Sequence, residues 1–138
     1  MSHELREHTA DVAVDATGES LGALFAAVAD GLTAAQCDDV PVDVGERFAV
    51  AVESESVESL LFDYLDELVY ERDVREVLPA DHEATVTRTA GDGWRVDASA
   101  RGIPFEAVDA REVKAVTYSE MTVEETADGW HAYVVFDV

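Results

Sequence analysis

The sequence predicts an α+β fold, a two-layer sandwich with two helices packed on one face of a mostly antiparallel sheet. Three observations carry this reading. Two segments recur at helical spacing, each with one apolar stripe. The second half of the chain alternates with period two and is cut by glycine-containing turns. Two one-striped helices need a shared apolar surface, and a sheet built of hairpins offers one.

Asp11 to Thr17 alternates, with Val12 and Val14 on one strand face and Gly18 marking the turn that follows. Ser20 is placed to cap a helix whose apolar positions are Leu21, Leu24, Phe25, Val28 and Leu32. Gly22 and Gly31 fall inside it, each costing about 1 kcal/mol relative to alanine, and the stripe outweighs them. After a polar loop from Asp38 to Gly45, the alternation of Phe48, Val50 and Val52 predicts a second strand. Ser56 caps the second helix, with Glu58 in its first turn, and Val57, Leu60, Leu61, Tyr64, Leu65, Leu68 and Val69 form the longest stripe in the chain. The rest is strand. His82 to Thr89 and Trp94 to Ala100 flank the turn Gly91-Asp92-Gly93, and a loop follows around Gly102-Ile103-Pro104. Glu112 to Glu124 alternates, Asp128-Gly129 turns the chain, and Trp130 to Val138 closes it.

Length and composition suit one domain over residues 1–138, with 48% hydrophobic residues and no repeats or linkers. A chain of this size buries roughly two-thirds of its unfolded surface, enough for a core without staples. Cys37 is the single cysteine, so no internal disulfide is expected and a reducing cytoplasmic setting is the simplest. A small apolar role fits it better than that of a nucleophile. The N-terminal stretch has no apolar signal-type run, and no segment of about 18 apolar residues occurs.

Charge is the strongest global feature: 31 acidic against nine basic residues, a formal net charge of -22. Lys114 is the only lysine. At molar salt the Debye length shrinks to about 3 Å and screens this self-repulsion, so the composition reads as salt-adapted. Direct nucleic-acid binding is not expected, because its affinity comes from cationic contacts to phosphate.

Several enzyme classes are excluded by their motifs. There is no Walker loop, no dinucleotide-binding glycine fingerprint, no Gly-x-Ser-x-Gly elbow, no CxxC or HExxH pair and no EF-hand loop. What remains is a set of carboxylates at strand ends. Asp11 opens the first predicted strand and Asp137 nearly ends the last, followed by the main-chain carboxylate of Val138. Antiparallel pairing of those strands would bring three anionic groups together, and like charges at close range call for a cation. All-oxygen donors favour Ca²⁺, Mg²⁺ or Mn²⁺ over zinc. Solvated strand ends are the alternative. His8 is either a ligand or hydrogen-bond partner of that site or a residue packed at the strand entry. Lys114 is either functional or an ordinary strand-face ion pair. His131 is out of phase with Val134 and is expected to face solvent.

His8-Thr9-Ala10-Asp11-Val12 resembles the opening signature of the archease family, and Glu112-Val113-Lys114-Ala115-Val116-Thr117-Tyr118, followed by Met121, resembles its second. Asp128-Gly129-Trp130 and the final Asp137-Val138 resemble its closing strand. Ser119 departs from the pattern, standing where many members carry histidine. The resemblance implies an accessory protein that activates an RtcB-type tRNA-splicing RNA ligase, promoting its GTP-dependent guanylylation and turnover. It also implies a metal site of Asp11, Asp137 and Val138, with calcium as its ion, and no reaction of the protein's own. His8, Lys114 and Tyr118 are expected as its surroundings or as contacts to the partner. Two other readings stay open: a chaperone for RNA-modifying enzymes such as a tRNA methyltransferase, and a metal-dependent hydrolase.

Overall fold

The structure, a computed structural model, describes the backbone of residues 2–7 and the whole of residues 11–138. Its elements in order are β1 (Ser2–Glu7), β2 (Asp11–Gly18), α1 (Leu21–Gln36), β3 (Glu46–Ser54), α2 (Val57–Arg75), β4 (Val77–Arg88), β5 (Trp94–Pro104), a 3-10 turn at Phe105–Ala107, β6 (Ala115–Thr126) and β7 (Gly129–Asp137). Both helix starts follow from their capping serines. The Ser20 hydroxyl accepts from the Ala23 amide at 3.1 Å, satisfying one orphan donor of α1. Ser56 does the same for α2 within a reciprocal capping box with Ser59.

The α+β class holds, but the single sheet does not. Two antiparallel sheets are present, ordered β1-β2-β7-β6 and β3-β5-β4, and each helix packs against strands of both. The physical reason lies in α1. Besides its expected stripe, Ala26, Ala27, Ala29 and Ala35 are also buried, so the helix is apolar nearly all round and needs cover on two sides. Its glycines make that possible. A Cβ at Gly22 would lie 2.5 Å from the carbonyl oxygen of Ala84 in β4, and one at Gly31 would lie 2.5 Å from a methyl of Val14 in β2. Each glycine lets the helix approach one sheet.

The main core joins Val14, Ala16, Phe25, Leu60, Leu61, Tyr64, Leu65, Val134 and Phe136, among others, from both sheets and both helices. Cys37 sits in a smaller cluster with Leu78, Ala80 and Ile103, in the small apolar role expected of it. Several boundaries differ from the sequence reading, among them the start of β4 at Val77 and not at His82. β1 was not anticipated, Gly102-Ile103-Pro104 belongs to β5 and not to a loop, and β6 starts at Ala115 and not at Glu112. Ile103 pairs across the sheet with Leu78, and both are fully buried, which favours strand over loop there. No helix of the described residues is long and apolar enough to cross a membrane.

Candidate functional site

The start of β2 and the end of β7 meet through strand register. β2 and β7 pair antiparallel over eight positions, and Asp11 stands directly opposite Asp137. Val14 and Ala16 of β2, with Phe136, Val134 and Ala132 of β7, belong to the core, so period-two alternation sends both aspartates to the other face. Directly opposed residues of an antiparallel pair have Cβ atoms about 4.5–5.5 Å apart, and two carboxylates so placed repel. Each is only partly exposed. Val138 follows at the same sheet end, its surface 40% exposed. Among the described residues, no group of three histidine, cysteine, aspartate or glutamate side chains is placed to hold a metal ion. Asp11 and Asp137 are the two side-chain carboxylates that the register opposes here.

β6 brings the second motif to the same end. Ala115 is also opposite Asp137, and the Lys114 amide donates to the Asp137 carbonyl at 2.8 Å. Lys114 itself is exposed and, with Arg72 and Arg111, lines a cavity of about 510 Å³. Three of the nine cations of this acidic chain thus meet at one place. Arg72 is nearly buried and ties the elements together, donating to the Gln36 side chain at 3.0 Å and to the Val113 carbonyl at 2.8 Å. Arg111 pairs with Asp38 at 2.8 Å, and this guanidinium holds the Asp38 carboxyl below its ordinary range.

Tyr118 lies a few residues further along β6, where the ladder breaks. Thr117 pairs with Val135 and Thr122 with Tyr133, so residues 118–121 stand against the single residue 134 of β7. Glu120 takes a left-handed backbone within this bulge, at φ 59°. The bulge turns the Tyr118 ring onto Phe62 of α2, with centroids 4.1 Å apart and planes 5° from parallel. Ser119, the departure from the family pattern, is exposed in the same bulge. The structure thus places Asp11, Asp137, Val138 and Lys114 at one sheet end, with Tyr118 nearby, while His8 lies outside the described residues. Phe62 was missed by sequence reasoning, though its position off the apolar stripe of α2 was a signal.

His131 does not simply face solvent. Its ring nitrogens contact Asp15 at 2.7 Å and Glu124 at 3.0 Å, across both neighbouring strands. Burial opposes charge on the ring, but the hydrogen bonds to the two carboxylates and their charges outweigh it and raise the imidazole pKa. A raised value means that this stabilisation is complete below the unfolded value of about 6.5 and is lost as pH rises through the folded one. His131→Gln is expected to lower the melting temperature most at mildly acidic pH, with the gap to wild type closing at alkaline pH. Thermal melts across that range, with the His131 ring titration followed by NMR, check it.

The arrangement is a two-sheet α+β domain in which β2 and β7 set two carboxylates opposite each other. The chain belongs to the archease family: the Archease protein family (MTH1598/TM1083) matches residues 3–138. It is 37% identical over 136 residues to the protein archease of Thermococcus gammatolerans, covering 96% of this chain and 95% of that one. The solution structure of protein 1598 of Methanobacterium thermoautotrophicum superposes with a TM-score of 0.86 at 28% identity, covering 99% of this chain and 98% of that chain. A Thermotoga maritima protein described as an archease, possible chaperone, shares the fold at a TM-score of 0.63 and 24% identity, covering 99% of both chains.

Proposed function

We propose that this protein activates an RtcB-type tRNA-splicing RNA ligase, promoting its GTP-dependent guanylylation and turnover. In this reading Asp11, Asp137 and the main-chain carboxylate of Val138 hold one divalent cation, Ca²⁺ first, with Mg²⁺ or Mn²⁺ as alternatives. The observation that carries the proposal is the register setting Asp11 opposite Asp137, because it opposes two carboxylates that a hard cation would reconcile. Two side-chain carboxylates and one main-chain carboxylate form an all-oxygen donor set, which fits these ions and not zinc. A bound cation would offset the opposed carboxylates of Asp11 and Asp137. The residues of this chain do the rest by positioning. β2 and β7 hold the aspartates in register, and the Lys114 amide fixes the Asp137 main chain. A net charge of -22 supports action on a protein and not on RNA.

The test is a single-turnover guanylylation and ligation assay with an RtcB-type ligase, with and without this protein. Acceleration on addition is expected, together with negligible tRNA binding by this protein alone in a gel shift. An unchanged ligase rate overturns the proposal. The Thermotoga maritima neighbour's description as a possible chaperone favours a second reading, a chaperone of RNA-modifying enzymes such as a tRNA methyltransferase. Protection of a methyltransferase with no effect on the ligase would select it.

A further inference from the structure

Six large apolar side chains among the described residues are at least 40% exposed, and apart from Val42 in the 38–45 loop and the terminal Val138 they gather at α2: Tyr118, Tyr70, Val74 and Phe105 lie along it or beside its C-terminal end. Phe62, Asp66, Tyr70 and Val74 follow each other at intervals of four, so they form one ridge on the helix. Tyr118 stacks on the first of them and keeps its outer face open, 53% exposed. Carboxylates flank the ring: Asp63 is close enough to act on its hydroxyl, and Asp66 is one turn along. This aromatic edge is continuous with the site already described. Tyr118 is three residues beyond Ala115, which is opposite Asp137, a span of about 10 Å along a strand.

We propose that the Tyr118–Phe62 stack, with Asp63 and Asp66 of α2 beside it, forms the docking platform for an arginine-bearing segment of the protein partner. This rests on the reading that the protein acts on a protein. A flat exposed ring flanked by carboxylates offers a guanidinium both things it seeks, a π face to stack on and oxygens to hydrogen-bond. A lysine ammonium stacks less well, being a compact and strongly hydrated point charge. A nucleobase could stack on the ring too, but its phosphates would meet the carboxylates of a chain carrying a charge of -22. The four-against-one bulge in β6 costs ladder hydrogen bonds, and its visible result is the placement of this ring.

Two measurements test the platform. In the first, binding of the RtcB-type ligase is followed by calorimetry for wild type, Tyr118→Ala and Tyr118→Phe, with a calcium titration of each variant alone. Tyr118→Ala is expected to weaken the complex roughly tenfold, between the exposed and the desolvated values of a cation–π contact, while Tyr118→Phe stays within about twofold. Calcium binding should be the same in all three, which separates docking from the metal site. Equal affinity of Tyr118→Ala and wild type overturns the proposal. The second measurement does not need the ligase. NMR shifts of the Tyr118 and Phe62 rings are recorded with a short arginine peptide, its lysine counterpart and a single-stranded RNA oligonucleotide. The arginine peptide is expected to bind about threefold more tightly than the lysine one, with the RNA silent. Equal peptides, or ring shifts from the RNA alone, overturn the proposal even where the ligase reading itself has failed.

Discussion

Asp137→Ala is expected to leave the protein folded and to remove both its stabilisation by divalent metal and its activation of the ligase. The side chain lies on the outer face of β7 and only partly buried, and the backbone register with Asp11 and Ala115 does not depend on it. In metal-free buffer the substitution should be neutral or slightly stabilising, because it removes a carboxylate opposed to that of Asp11. With metal the sign reverses. A ligand present at a hundredfold its dissociation constant stabilises the native state by about 2.7 kcal/mol, so the wild type gains this amount and the variant does not. A C-terminal extension should act in the same direction by turning the Val138 carboxylate into an amide, whereas an N-terminal tag tests mere crowding. Thermal melts with and without calcium, a calorimetric titration and the guanylylation assay on the untagged, N-tagged, C-tagged and Asp137→Ala proteins decide it. A folded Asp137→Ala protein that activates fully would sink the metal mechanism.

Raising KCl from dilute buffer to molar concentration is expected to raise the melting temperature by roughly 10 °C or more, the shift that about 3 kcal/mol produces in a chain of this size. Most of the described cations are already committed: Arg47, Arg72, Arg75, Arg95, Arg101 and Arg111 each hold a carboxylate, and Arg88 lies over the Trp94 ring at 4.8 Å. With 31 acidic residues against nine basic ones, most carboxylates have no cation to meet. Their mutual repulsion disfavours the compact state, and a Debye length of about 3 Å at molar salt screens it. The exposed ion pairs are screened as well, but each is worth at most about 1 kcal/mol, so the repulsion dominates the sign. Melts followed by circular dichroism over a KCl series check this. A melting temperature that is flat or falls with salt would remove the argument for a salt-adapted surface.

Local pattern alone determined much of this protein. Ser20 and Ser56 mark both helix starts, the spacing of Leu60, Leu61, Tyr64, Leu65 and Leu68 identifies the buried face of α2, and the glycine turns separate the closing strands. These features depend on neighbours within a few residues, which is why they can be read one segment at a time. The convergence of Asp11 and Asp137 was partly legible, since antiparallel pairing of the first and last strands read from the sequence implies it. Their placement directly opposite each other is a register, set by which of Val12, Val14 and Ala16 meets which of Phe136, Val134 and Ala132. The division into two sheets, the burial of α1 on both sides and the bulge that turns Tyr118 onto Phe62 were decided only by the tertiary structure. Each is a contact between segments far apart in the chain, such as Gly22 against Ala84 or Gly31 against Val14. Periodicity states which face of an element is apolar, and packing between distant elements decides what that face meets.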